Sequence, residues 1–364
     1  MYYRLKATAI VVPLVEDGLL LKTDTVSIRM EGGFAQTLQS RILPALDGQL
    51  TVSEIARRLD LPTETLLENF DQLVDSGLFE RSAEAFPSAQ PNPRHNLLRA
   101  LGMADGEIDR RLIAARIAVF GLERPGATVA EMLLSSGFRN LTLVDSFAAT
   151  PLDFLPDELV ESTSREELLA TRLRGRHPEA KINLSGGNKL AREATAELAR
   201  GHDLLIACWD QGFSSGNHWV NRASHALGIP AVFCELGGLQ VLAGPFVVPG
   251  MTACYMCSRM RAVAAAENYG EAMACEQFLD QLKSPRHDCR EFLPAAVSTM
   301  ASLLVAESLK FIILNQQPAL LGAIAEYDPF ELSLKRHVVL EQPGCPVCSQ
   351  KKNYSRVNIP VWQN

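Results

Sequence analysis

Two Cys-x-x-Cys pairs constrain this chain more than any other feature: Cys254–Cys257 in ACYMCSRMRA and Cys345–Cys348 in PGCPVCSQ. Four sulfurs so spaced form the ligand set of a tetrahedral Zn²⁺, each thiolate lying about 2.3 Å from the ion. Gly344 and Pro346 suit the tight turn that presents Cys345 and Cys348 to one metal. A single such pair could also be a redox dithiol, but neither stands in the strand–turn–helix context that chemistry uses. The expectation is therefore a structural zinc held by Cys254, Cys257, Cys345 and Cys348. With four protein ligands it offers no open position for catalysis, and by closing a long loop it contributes folding free energy.

Thiols kept reduced imply a reducing compartment. The opening stretch MYYRLKATAIVVPLVEDG has one short apolar run interrupted by Pro13, which reads as a strand and not as a membrane span or export signal. A cytoplasmic protein without a membrane partner is expected. The 364 residues leave room for two domains. A net charge of −7 excludes a dedicated nucleic-acid binder, which needs a basic surface to displace counterions.

Residues 1–81 read as one unit, followed by a Pro/Ser-rich linker at 82–96 and a second domain at 97–364. Two short strands flank an Asp17-Gly18 turn, and TVSIRMEGG adds another. The segment GFAQTLQSRILPALDGQLT predicts a helix closed by Asp47-Gly48. Two further helices follow, the first capped by Thr51 or Ser53, the second running from Pro62-Thr63 to Gly77. This is a winged-helix pattern. DNA binding is disfavoured because the last helix carries Glu64, Glu68, Asp71 and Asp75 and no Lys or Arg. A dimerisation appendage and a peptide clamp, in which a target adds a strand to the hairpin, both fit.

From Arg116 the pattern becomes strand, turn, helix, strand, ending on Asp145. Further strands end on Asp210 and run through AVFCEL, and FLPAAVSTMASLLVAESLKFIIL reads as a long helix buried on most of its circumference. Alternating strands and helices predict a Rossmann-like, parallel, doubly wound α/β sheet. Its sites lie at the carboxyl ends of the strands, where Gly121, Asp145 and Asp210 fall. Asp145 and Asp210 also fit a plainer role as strand-end caps.

The zinc knuckles, the β-α-β unit and the order between them resemble the ThiF/MoeB/E1 adenylating superfamily over roughly residues 95–350. With the N-terminal clamp, the chain looks most like the branch that matures ribosomally made peptides. That branch includes adenylating enzymes and partner proteins of azoline-forming cyclodehydratases. The resemblance implies an ATP and Mg²⁺ site at Gly121, Gly126, Asp145, Arg165 and Asp210, with Asp210, Arg165 and Arg124 as catalytic groups. In this alignment Asp145 holds the ribose, Asp210 the Mg²⁺, and Arg165 replaces an ATP-binding lysine. The resemblance also implies a homodimer and a precursor (leader) peptide as partner.

Departures from the pattern matter. The first turn reads Gly121-Leu122-Glu123-Arg124-Pro125-Gly126, with acid and proline where a glycine-rich loop belongs, and the usual Asn–Arg element is missing. Arg165 fits a solvated surface residue as well as a phosphate ligand. The leading expectation is ATP/Mg²⁺ activation of a carboxylate or amide of a leader-bound peptide. The alternative is an ATP-incompetent protein presenting leader peptide to a separate cyclodehydratase; sulfur-carrier activation is disfavoured. Cys275 and Cys289 read as incidental thiols, and Trp219, Asn221 and Arg222 as packing residues.

Overall fold

The computed structural model describes residues 1–15, 18–23, 26–86, 98, 103, 105–149, 164–186, 192–209, 214–237, 240–281 and 293–349. The chain divides into two compact units, Met1–Gly102 and Met103–Asn364.

In the first unit β1 (Tyr2–Leu5) lies between β5 (Asp47–Thr51) and β6 (Phe79–Ser82), antiparallel to both. A separate antiparallel meander joins β2 (Ile10–Leu14), β3 (Gly18–Lys22) and β4 (Ser27–Met30). The first helical stretch departs from expectation. It begins as α1 (Gly33–Thr37), widens to a π turn over Leu38–Ile42 and ends at Ala45 in a 3₁₀ turn. Pro44 has no N–H to continue the ladder, so the helix stops there, and Asp47-Gly48 opens β5 instead of closing a helix. Helices α2 (Val52–Leu59) and α3 (Thr63–Asp75) lie where their caps predict. The Thr51 hydroxyl accepts the Glu54 N–H while the Glu54 carboxylate accepts the Thr51 N–H, a reciprocal cap. Tyr3, Phe70 and Phe79 form the aromatic centre, with ring centroids 5.3 and 5.6 Å apart. The chain stays packed beyond residue 82: the Phe86 N–H reaches the Gly48 carbonyl, and its ring lies under the Arg4 guanidinium at 4.2 Å.

The second unit is built on an eight-stranded sheet ordered β14-β13-β12-β11-β10-β7-β8-β9. Strands β7 (Arg116–Phe120), β8 (Asn140–Val144), β9 (Lys181–Leu184), β10 (Leu204–Ala207) and β11 (Ala231–Gly237) are mutually parallel. The all-parallel expectation fails beyond β11. There β12 (Gln240–Val247), β13 (Ala323–Asp328) and β14 (Ser333–Val338) pair antiparallel. The cause is local: β11 returns directly as β12, and so short a connection joins only antiparallel neighbours.

The helices of this unit are α4 (Asp105–Ala114), α5 (Arg124–Ser135), α6 (Arg165–Arg176), α7 (Arg192–Ala199), α8 (Ser214–Leu227), α9 (Tyr255–Ala264), α10 (Tyr269–Gln281) and α11 (Pro294–Ile312). Helix α11 packs on α5 and β12 but buries one face, not most of its circumference. Its remaining positions are Ala, Ser and Thr as often as large apolar residues, which leaves a face that tolerates water.

Gly121 and Gly126 set the approach of α5 to β7. Gly121 has φ +81°, the left-handed region that favours glycine. A Cβ on Gly126 would fall far inside contact distance of the Gly121 carbonyl oxygen, which is backbone and has nowhere to go. Gly126→Ala is therefore expected to cost more than about 4 kcal/mol, the range reserved for clashes in a packed core. A urea titration in which the variant matches the unmodified protein would refute this.

Candidate functional site at the strand ends and a four-cysteine cluster

The two Cys-x-x-Cys pairs meet. The sulfurs of Cys254, Cys257, Cys345 and Cys348 all lie within 4.8 Å of one another. Separations are 3.9 Å for Cys254–Cys257, 3.7 Å for Cys254–Cys345 and 3.3 Å for Cys257–Cys348. A tetrahedron with 2.3 Å metal–sulfur bonds has edges of about 3.8 Å, so the cluster has the size of a ZnS₄ site. Cys254 is the N-cap of α9 yet its sulfur caps nothing, and Cys257 follows one turn later on the same face. Gly344, at φ +75°, turns the chain into the second pair. Arg261 pins that segment through the Leu340 and Glu341 carbonyls, and the Gln342 N–H donates to the Cys257 sulfur at 3.3 Å. Burial pushes the Cys254 thiol up to about 12. A buried sulfur that resists ionisation alone becomes a thiolate readily beside a divalent cation, so the donor set fits the metal it is expected to bind.

The strand ends are occupied by side chains of the chain itself. Glu123 is the N-cap of α5 and is 1% exposed. Its carboxylate receives Arg165 Nη1 at 3.2 Å, and the same Nη1 lies 3.5 Å from Asp145 Oδ2. Arg165 is the first residue of α6 and is 2% exposed, so the solvated-surface alternative for it fails. Asp145 is oriented by local backbone: Oδ2 accepts the Leu122 N–H at 2.8 Å and Oδ1 the Phe147 N–H at 2.9 Å. It caps the end of β8. Trp209, just past β10, lies over this turn: a Cβ on Gly121 would come within 2.8 Å of its ring. Gly216 at the start of α8 leaves the same ring its space on the other side, and Phe147 meets it edge-on at 5.9 Å. Arg124 opens α5 beside this cluster. Asp210 and Cys289 lie outside the described residues; Cys275 is exposed on α10.

Charge drives the arrangement. A helix N-terminus and a guanidinium both favour an anion, and Glu123 supplies one from within the chain. The Arg165 guanidinium that would greet a nucleotide phosphate is thus paired with a carboxylate of the chain, while the Glu123 side chain makes no capping hydrogen bond to the α5 N-terminus. Asp145 keeps lone pairs that a ribose hydroxyl could use, so among the described residues the Glu123–Arg165 pair is the feature that competes with ATP.

Behind Asp145 sits Glu166, also buried. Its carboxylate accepts the Asp145 N–H at 2.7 Å, the Ser185 N–H at 3.1 Å and the Ser185 hydroxyl. Burial raises its pKa above 4.5 despite these bonds. A raised folded-state pKa means that the folded protein holds this proton more tightly than the unfolded chain. The resulting stability is full below 4.5 and is lost as pH climbs through the raised value. Glu166→Gln should flatten that slope between mildly acidic and neutral pH. Urea midpoints across the range would check it; an unchanged slope counts against the assignment.

A second polar network runs from β11 to the cysteine cluster. The Tyr255 hydroxyl donates to Glu235, Arg259 Nη1 reaches Glu235 at 3.0 Å, and Arg259 also pairs with Glu276. Asn221, fully buried on α8, accepts the Tyr255 N–H at 3.2 Å. Together with His218, Met256, Met260 and Met273, Arg259 and Glu276 line a cavity of about 340 Å³. Sequence reasoning marked Glu123 only as an acid out of place in the loop and Asn221 only as a packing residue, and it overlooked Glu166, Trp209 and the rest of this network. Only the odd Glu123-Arg124-Pro125 insertion hinted at any of them.

This constellation is a Rossmann-like α/β body: a mixed sheet, a β-α-β opening and a four-sulfur cluster. The ThiF family model matches residues 95–347, and the chain belongs to the ThiF family. It is 24% identical over 270 residues to the molybdopterin-synthase adenylyltransferase of Salmonella typhimurium, covering 72% of this chain and 98% of that one. Its fold is also that of MccB, the microcin C7 biosynthetic enzyme. In complex with N-formylated MccA that enzyme aligns with a TM-score of 0.67 at 18% identity, covering 96% of this chain and 100% of that one. A heterocyclase in complex with substrate and cofactor aligns with a TM-score of 0.57 at 18% identity, over 95% of this chain and 39% of that one.

Proposed function

We propose that this ThiF-family protein serves the maturation of a ribosomally made peptide by binding the precursor's leader segment and presenting it to a separate cyclodehydratase. Its own nucleotide site is closed. The observation that carries the reading is the buried Glu123–Arg165 pair: the carboxylate of the α5 N-cap residue holds the guanidinium that a phosphate would use. Residues 1–81 form the leader clamp in this reading, a winged-helix recognition element joined through 82–96 to the body at 97–364. The edge strand β4 offers backbone donors and acceptors to an added strand, whereas the opposite edge, β2, carries Pro13. A structural Zn²⁺ at the four cysteines, a homodimeric assembly and a reducing cytoplasm complete the proposal.

The second reading is an ATP- and Mg²⁺-dependent enzyme that activates a carboxylate or amide of the bound peptide. It is favoured by the near-complete overlay with MccB, which has also been solved with ATP. It requires Arg165 to leave Glu123. Isothermal titration separates the two. The closed-site reading expects saturable binding of a precursor peptide encoded beside the gene and no heat above dilution from ATP with Mg²⁺. Stoichiometric ATP binding together with peptide-dependent release of pyrophosphate or ADP would replace it with the enzyme.

A further inference from the structure

A pocket remote from the strand ends carries a charge pattern that neither reading uses. Arg192, Arg222 and His225 line a hollow of about 330 Å³ between α7, α8 and the second cysteine knuckle. The space exists because the helices cross on small residues: Ala196 on α7 faces Ala223 and Ala226 on α8, and Pro346 and Val347 close the end. Arg192 and Ala196 share one face of α7, spaced by one turn. Arg222, His225 and Ala226 share one face of α8 in the same way. Among the described residues no carboxylate lines the pocket, and neither arginine has an ion-pair or hydrogen-bond partner. His225 is 2% exposed.

Arg192 and Arg222 line the same hollow with no ion-pair partner among the described residues, so an anion entering it meets two guanidinium-bearing side chains without displacing a carboxylate. Guanidinium forks match tetrahedral oxyanions through paired N–H donors, and an imidazole adds one more donor. The cavity is larger than a lone oxyanion needs, which leaves room for an organic substituent. The geometry points to a binding site for a phosphate monoester, held by Arg192 and Arg222 with His225 beneath. None of the lining residues belongs to β7, β8 or the α5 turn, so the site stands whether or not the strand ends bind ATP. Because Pro346 and Val347 lie between Cys345 and Cys348, an occupant would also brace the second knuckle.

Thermal melting and isothermal titration of the zinc-loaded full chain test this, using inorganic phosphate, AMP and succinate at constant ionic strength against chloride. Phosphate and AMP are expected to raise Tm saturably and to compete with each other. Succinate should bind at least about tenfold more weakly, lacking the tetrahedral oxygens. Arg192→Gln and Arg222→Gln should each weaken phosphate at least about tenfold, the loss of one charged hydrogen bond. Both should melt in chloride no lower than the unmodified protein, since neither guanidinium gives up a hydrogen bond or ion pair of the fold. Should Arg222→Gln fail to fold, Arg192→Gln, at the exposed start of α7, carries the test alone. Absence of saturable phosphate binding overturns the proposal, as does equal affinity for succinate. AMP binding that survives both substitutions would belong to the strand ends and would equally overturn this site.

Discussion

Replacing Cys345 with serine is expected to abolish the cooperative melting of residues 103–364 and to release the metal. The four sulfurs join the start of α9 to a segment beyond β14, two stretches otherwise linked through Arg261 and a few backbone contacts. Structural zinc supplies on the order of 10 kcal/mol of folding free energy in small domains. That is comparable with the whole net stability of an ordinary domain, about 5–15 kcal/mol. Losing one fully buried thiolate also leaves three sulfurs facing a void in a core that includes Tyr255 and Val347. Elemental analysis should return one zinc per unmodified chain and far less for Cys345→Ser. A variant that melts like the unmodified protein, or an unmodified protein without metal, would remove the structural role of the cluster.

Arg165→Met is expected to destabilise the protein by about 3–5 kcal/mol, the cost of leaving a buried carboxylate without its partner. Glu123 and Asp145 both face that guanidinium, at 3.2 and 3.5 Å. The double variant Glu123→Gln, Arg165→Met should recover most of the loss, because it removes a charge together with its counter-charge. Urea denaturation of both single variants and the double measures the coupling directly. A mild effect of Arg165→Met, below about 1 kcal/mol, would mean that the arginine is held for a ligand and not for the fold. The same variants bear on the closed site: if Glu123 excludes the nucleotide, Glu123→Gly is the substitution with which ATP binding should first appear.

Much of this architecture was readable in the amino acids because it rests on local spacing. The Cys-x-x-Cys pairs put two sulfurs on one turn wherever they occur, and the β-α-β grammar from Arg116 to Asp145 follows from buried strands and an intervening helix. The Thr51 cap and the Gly77 stop are likewise properties of a few consecutive residues. Where local signals conflicted with neighbours, the reading slipped. Asp47-Gly48 has the form of a helix stop, but β1 was available to pair with it, and it became a strand. The antiparallel part of the sheet, β12 to β14, depended on how β11 turned back, which its apolar run does not encode.

The candidate site divides along the same line. Cys254, Cys257, Cys345 and Cys348 could be assigned to one metal from their types and intervals alone, since thiolate chemistry leaves few other uses for such a set. Glu123 could not be assigned, because its meaning lies in Arg165, forty-two residues further on, and in a burial that removes water from both. An isolated glutamate beside a glycine-poor turn can repel a phosphate, bind a metal or lie in solvent. Three-dimensional packing chose a fourth outcome, an internal ion pair at a helix N-terminus under Trp209. Covalent spacing sets which atoms are at hand, while the energy of a charge depends on what surrounds it, and those surroundings come from parts of the chain far apart in sequence.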